Sequence, residues 1–172
     1  MSSTKKSLRR SVCGMALAVA FCAGLCAGLG SVARAADPDS SEVLTAHAGF
    51  YAALNQLFAG NVSPMMDVWS HGDDVTYMGP TGNYERGWSA VLKDWQGQAA
   101  MKLGGRVDAS DLQVVVGQTL AVVTNYETGE NTNAQGKVER VKLRATITFR
   151  REGGQWKMIG HQTDTLPYLV KK

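Results

Sequence analysis

Beyond residue 26 the chain has no cysteine: its three, Cys13, Cys22 and Cys26, all fall near the N-terminus. If that segment is removed, as argued below, the product can form no disulfide, use no thiol nucleophile and build no thiolate metal site. Its stability must then come from a packed core. A surplus of one charge is also missing. The whole chain carries 18 Lys and Arg against 15 Asp and Glu, but Lys5, Lys6, Arg9, Arg10 and Arg34 precede residue 36 and no acidic residue does. Residues 36–172 therefore hold 13 basic against 15 acidic side chains, a net charge of −2. A near-neutral domain offers no electrostatic basis for binding nucleic acid or an anionic membrane. Neither an internal repeat nor a low-complexity tract is present.

The N-terminus has the three parts of a secretory signal in order. Lys5, Lys6, Arg9 and Arg10 are its basic region. Ser11 to Gly30 is apolar and uncharged, and Ala33-Arg34-Ala35 is a small-x-small site, so cleavage is expected after Ala35. The apolar run approaches the roughly 20 residues that span a bilayer. Gly14, Gly24, Gly28 and Gly30 weaken it as an anchor. Arg9-Arg10 is a twin arginine, but Ser11-Val12-Cys13 after it fits the twin-arginine export pattern poorly. Neither Cys22 nor Cys26 follows a triplet of the Leu-Ala-Gly kind that lipidation needs. The expectation is Sec-type export to the periplasm or the medium, with no stable membrane anchor after cleavage. Residues 1–35 are then signal, 36–41 a short leader and 42–170 the domain, of a size that buries about two-thirds of its unfolded surface.

Asp39 and Glu42 are spaced as a capping box. Val43, Leu44, His47, Phe50, Tyr51, Leu54, Leu57 and Phe58 recur at helical spacing until Gly60-Asn61. Ser63-Pro64 predicts the start of a short second helix, with Ser63 as its cap. His71 to Asp74 reads as a turn, Val75 to Met78 as a strand and Tyr84 to Arg86 as a strand pairing back on it. A third helix is predicted from about Gly87 to Lys102, with Trp88, Val91, Leu92, Trp95 and Ala99 on one stripe. Val107–Val116, Thr119–Thr128, Glu139–Arg151 and Gln155–Thr163 read as strands, with a polar connection from Thr128 to Gly136. Along the third of these, Val141, Leu143, Ala145, Ile147 and Phe149 alternate with Arg140, Lys142, Arg144, Thr146, Thr148 and Arg150, the mark of a half-buried antiparallel strand. Helices followed by long antiparallel strands imply an α+β domain with its helices on one face of the sheet.

Several segments carry a resemblance. Phe50-Tyr51-Ala52-Ala53-Leu54-Asn55, Val68-Trp69-Ser70-His71, Asp74 to Pro80, Arg86-Gly87-Trp88, Phe149 to Met158 and His161-Gln162-Thr163-Asp164 resemble the nuclear transport factor 2-like superfamily. Within it, they are similar to the SnoaL-like branch related to ketosteroid isomerase. The resemblance implies a conical curved antiparallel sheet wrapped around three N-terminal helices, a cystatin-like α+β barrel. It also implies a pocket between helices and sheet and a homodimer formed through the sheet. The isomerase chemistry requires a carboxylate base, a Tyr donor and a protonated Asp donor. At the corresponding positions stand Gly79, Phe50 and Thr146, so all three groups are missing and the reading runs against that route.

Three groups remain for chemistry. His161 in the last strand, with Asp164 three residues on, is the candidate acid–base pair, since His shuttles protons near neutrality. Residues i and i+3 occupy opposite strand faces, so the pair needs the strand to bend or end. The bland alternative is a histidine bonded within the sheet. His71 with Asp73 and Asp74 is either a polar cluster at the pocket mouth or an ordinary turn. His47 is a helix residue. Tyr51, Trp69, His71, Tyr77, Trp88 and Tyr126 are the candidate pocket lining, with Trp95 beside them, because Tyr and Trp join apolar area to a polar handle. Core packing is the alternative, above all for Trp88 and Trp95. Arg140, Lys142 and Arg144 form a solvated or dimer-facing stripe. No metal and no cofactor is expected, and the expected partners are a small organic ligand and a second copy of the chain. The functional expectation is a small-molecule-binding domain. The alternatives are a periplasmic isomerase, cyclase or hydratase using His161 with Tyr77 or Tyr51, and a structural dimerisation module.

Intact mass of the exported protein should correspond to a chain beginning at Ala36, and thiol titration should find no thiol. A product that keeps Cys13, Cys22 and Cys26 would contradict the export reading.

Overall fold

The computed structural model describes residues 38–133 and 135–164. The expected signal segment and residues 165–170 of the expected domain lie outside the described residues. Among the described residues three helices and six strands follow in the order α1 (Pro38–Phe58), α2 (Ser63–Val68), β1 (Thr76–Met78), β2 (Tyr84–Arg86), α3 (Trp88–Met101), β3 (Arg106–Val116), β4 (Leu120–Thr132), β5 (Val138–Glu152) and β6 (Gln155–Asp164). All the strands join one sheet, in the order β2-β1-β6-β5-β4-β3.

The apolar stripe of α1 buries Val43, Phe50, Leu54 and Leu57 against the inner face of the sheet, together with His47 and Tyr51. Trp95 of α3, Trp69 after α2, Ile147 and Phe149 of β5 and Met158 of β6 complete the core. Asn55 fastens α1 to the sheet edge: its side-chain amide donates to the Val107 carbonyl and accepts from the Val107 N–H, both at 2.9 Å. A helix side chain thereby completes the pairing that another strand would supply, and sets the height at which Tyr51, one turn earlier, enters the interior.

Four local expectations are corrected. The sheet is mixed, because β1 lies parallel to β6, with Tyr77 opposite His161. Strand β4 runs on through the polar residues after Thr128, since its ladder to β5 continues to Thr132 opposite Val138; backbone pairing, rather than side-chain apolarity, fixes its length. Asp39 and Glu42 turn to Arg151, at 2.7 and 2.5 Å, and α1 already begins at Pro38. Ser63 is the first helical residue of α2 rather than its cap, and its N–H donates to Asn61 Oδ1 at 3.2 Å.

Two bulges decide which side chains face inward. In β3 the register shifts between Ser110 and Gln113, with Asp111 at φ 55°. In β6 it shifts where Thr148 pairs with Gly160 but Phe149 pairs with Met158, leaving Ile159 as the extra residue. Alternation from Trp156 and Met158 would otherwise put Gly160 and Gln162 inside. The extra residue reverses the phase, so His161 and Thr163 are the buried ones. Bulges of this kind bend a strand and re-aim side chains.

Gly129 of β4 lies where β3 and β4 come too close for a side chain, because a Cβ there would strike the Arg106 carbonyl. Gly129→Ala should therefore lower stability by about 1–3 kcal/mol through a forced backbone shift, read as a lower urea midpoint at unchanged slope. An unchanged midpoint would contradict this packing.

Candidate functional site

The interior of the cone holds a polar chain built from three elements. Strand β4 alternates Ala121, Val123, Asn125 and Glu127 inward, so the phase of its buried apolar residues carries an amide and a carboxylate into the core. Helix α1 supplies His47 and Tyr51, one turn apart, and the β6 bulge supplies His161. Glu127 and His161 are each only 4% exposed. An ionised carboxylate so placed loses its hydration, at a cost of several kcal/mol unless strong hydrogen bonds replace it. Tyr51 donates its hydroxyl to Glu127 Oε1 at 3.0 Å, and His161 Nε2 lies 3.0 Å from the same oxygen. A carboxylate can only accept, so Nε2 of His161 carries the hydrogen.

The remaining bonds all point the same way. Asn125 Nδ2 donates to the Tyr51 hydroxyl at 2.8 Å and to the Tyr126 carbonyl at 3.0 Å. This turns Asn125 Oδ1 toward His47, whose Nε2 donates to it at 3.1 Å. The donors run from His47 through Asn125 and Tyr51 to Glu127, with His161 arriving from the opposite side. Burial lowers the pKa of His47, opposed in part by its bond to Asn125 and by the Glu127 charge. For Tyr51, burial and then the nearby Glu127 charge hold the phenol well above its ordinary value, so it remains a donor.

Both hydrogen bonds to Glu127 fall on Oε1, and Oε2 has no hydrogen-bond partner among the described residues. Glu127 lines a cavity of about 130 Å³ with Tyr77, Trp95, Gln98, His161 and Thr163, and with apolar walls from Leu54, Phe58, Val107 and Leu143. An apolar cavity of about 150 Å³ holds benzene, so this space suits a fragment the size of a single ring. The Tyr77 ring lies parallel to His161 at 5.7 Å and 10°. Burial pushes the Tyr77 phenol up as well, against the opposing hydrogen bond from Gln98. Nδ1 of His161 and Nε1 of Trp95 are buried without a hydrogen-bond partner among the described residues. Those residues also contain no cluster of three or more His, Cys, Asp or Glu able to hold a metal.

The residues singled out from sequence are distributed unevenly around this centre. Tyr77 and His161 line the cavity, and Tyr51 stands one bond behind it. Asp164 is not the partner of His161: it lies on the outer face, paired with Arg144 at 2.9 Å. Tyr126 is exposed on that same outer face, since its neighbours Asn125 and Glu127 take the inner one. Trp69 is core, packed at 6.2 Å from Trp95. His71 stacks on Trp88 at 4.5 Å and reaches the Met66 carbonyl, forming a surface pair away from the cavity. Asp74 binds Arg150, which holds its carboxyl below the ordinary range. The site residue that sequence reasoning missed is Glu127. Its signal was parity: it shares a strand face with Ala121 and Val123.

Gly79 stands where the isomerase chemistry would need its base. A Cβ there would collide with the Tyr77 hydroxyl and with Asn83 Oδ1. The carboxylate that lines the cavity is Glu127, on β4.

With this geometry in view, the comparisons define the class. Residues 43–164 match the SnoaL-like domain model, and the chain belongs to that family. It is similar in fold to a proposed dehydratase of the nuclear transport factor 2-like family from Streptomyces avermitilis, with 21% identity, 75% of this chain and 97% of the other covered, and a TM-score of 0.66. A nuclear transport factor 2-like protein of unknown function from Pseudomonas putida aligns at 19% identity over 74% and 86% of the two chains, with a TM-score of 0.62. An uncharacterised protein with a cystatin-like fold from Caulobacter vibrioides aligns at 12% identity over 77% and 93%, with a TM-score of 0.63. No curated protein matches the chain.

The buried His47 makes stability pH-dependent. Its folded pKa lies below the ordinary 6.5, so as pH falls through that value the unfolded chain takes up a proton that the folded chain refuses. The stabilisation is complete above about pH 6.5 and is lost as pH falls toward the depressed folded pKa. Unfolding free energies measured across this range should fall with acidity, and His47→Gln should flatten the slope. An equal slope in both proteins would contradict the assignment.

Proposed function

We propose that this SnoaL-like domain binds a small neutral organic molecule in its cone and moves a proton on it, with Glu127 as the base. The observation that carries the proposal is a buried carboxylate anchored through Oε1 alone, with Oε2 left for the cavity it lines. In this reading Oε2 takes a proton from carbon. The C–H electron pair becomes a π bond, the neighbouring carbonyl gains negative charge on oxygen, and the Tyr77 hydroxyl hydrogen-bonds that oxygen. Return of the proton to a different atom gives an isomer; return of it from Glu127 to a β-hydroxyl, as the enolate electrons form the new C=C bond and the C–O bond breaks, releases water and gives a dehydration. The sequence made His161 the base. The geometry supports a positioning role for it instead, because Nε2 is engaged with Glu127 and Nδ1 is buried with no hydrogen-bond partner among the described residues. The likeness to a proposed dehydratase is consistent with this class of chemistry.

Two further expectations stay proposals. Export to the periplasm or medium is supported by the basic region, the apolar stretch and Ala33-Arg34-Ala35. A homodimer through the outer sheet face is supported by the family resemblance and by exposed apolar side chains there, Tyr126 and Leu120 among them.

The test is exchange at carbon. In D₂O with a panel of small cyclic ketones and β-hydroxyketones, the wild type should speed loss of the α-proton signal above the buffer rate. Glu127→Gln should lower that rate by about 10²–10⁴-fold, the usual contribution of a positioned base. Binding of the ketones with exchange no faster than buffer would overturn catalysis and leave a binding protein.

A further inference from the structure

Gln98 of α3 makes two contacts through one atom. Its Nε2 lies 2.6 Å from Asp94 Oδ2 and 3.0 Å from the Tyr77 hydroxyl. Amide nitrogen and oxygen are otherwise hard to tell apart, but a carboxylate only accepts, so the atom facing Asp94 must be the nitrogen. Asp94 therefore fixes the amide's orientation, and Gln98 has to donate to Tyr77. Asp94 is itself held, since Asn83 Nδ2 donates to its Oδ1 at 3.1 Å. The same corner is closed on its far side by Gly79, where any side chain would displace both the Tyr77 hydroxyl and Asn83.

With its oxygen accepting from Gln98, Tyr77 has its own O–H free, and no described residue accepts it. Tyr77 lines the cavity, as does Glu127. The cavity thus presents one hydroxyl donor and one carboxylate acceptor. No Lys or Arg is among its lining residues, so a carboxylate or phosphate ligand would meet the Glu127 charge with nothing to offset it.

We propose that Gln98, oriented by Asp94, is a positioning residue that holds Tyr77 as a hydrogen-bond donor into the cavity, and that the ligand is a neutral carbonyl compound presenting its oxygen to Tyr77. The proposal rests on the proton-transfer reading above but can fail separately from it. A carbonyl oxygen has the lone pair that Tyr77 requires, and the carbon beside it carries the acidified hydrogen that suits Glu127.

Carbonyl-¹³C cyclohexanone is the probe. Its carbonyl resonance should move downfield on binding to the wild type, the signature of a donated hydrogen bond. In Gln98→Glu the new carboxylate draws the Tyr77 hydrogen to itself, so the downfield shift should vanish, as it should in Tyr77→Phe. The maximal rate of α-proton exchange in Gln98→Glu should fall by about 10²-fold, the usual effect of losing one oxyanion donor, with KM little changed. If Gln98→Glu fails to fold, Asp94→Asn serves in its place: it frees the amide to turn over and should reduce the shift. A merely structural role for Gln98 would alter stability and leave the bound carbonyl resonance where it is. An unchanged resonance in folded Gln98→Glu or Asp94→Asn would overturn the positioning role alone. Failure of the wild type to bind the ketone would overturn the ligand assignment. Binding with the shift but without exchange would sink the proton-transfer reading and leave this one standing.

Discussion

The interior of this domain is organised around one constraint: a carboxylate sits almost wholly out of bulk solvent. Glu127 occupies a core otherwise made of Phe50, Trp95, Ile147 and Phe149. Left bare, it would cost the fold several kcal/mol. The structure meets the need with donors, Tyr51 from α1 and His161 from β6. Those donors are then held by others: Asn125 supports Tyr51, and His47 supports Asn125. Helix α1 and strands β4 and β6 are thereby fixed to one another by polar bonds at their common point. Each buried polar group that finds a partner strengthens the others in a low-dielectric interior, and α1 contributes both a histidine and a tyrosine to that network on a face otherwise apolar.

The same constraint explains the β6 bulge. Without Ile159 as an extra residue, the imidazole would face the outside of the sheet and Glu127 would lose a donor. The bulge is therefore part of the site, although it lies in the backbone. The parallel pairing of β1 with β6 then sets Tyr77 opposite His161 and completes the ring of polar groups around the cavity.

Much of the architecture could be read from residue patterns, because helix periodicity and strand alternation are local signals. The stripe Phe50, Tyr51, Leu54, Leu57 placed α1, and Ala145, Ile147, Phe149 set the inner face of β5. What escaped is non-local. Sequence spacing offers His161 a partner along the chain, at Asp164, whereas the partner comes from another strand, Glu127 of β4. Its aromatic ring type groups Tyr126 with the pocket residues, although the parity of β4 turns it outward. Asp39 and Glu42 had the spacing of a cap, yet a distant guanidinium, Arg151, draws both. The bulge at Ile159 has no signature in the residue types around it. Membership of the SnoaL-like family, by contrast, rested on segments spread through the whole domain, and residues 43–164 carry it.

The central claim is that His161 donates from Nε2 to Glu127 and not to Asp164. Long-range ¹H–¹⁵N spectra of the histidine rings test it most directly. The account predicts that the hydrogen resides on Nε2 of His161, and that its resonance moves in Glu127→Gln while staying in place in Asp164→Asn. A hydrogen found on Nδ1 alone, or a resonance that follows Asp164 and ignores Glu127, would contradict it.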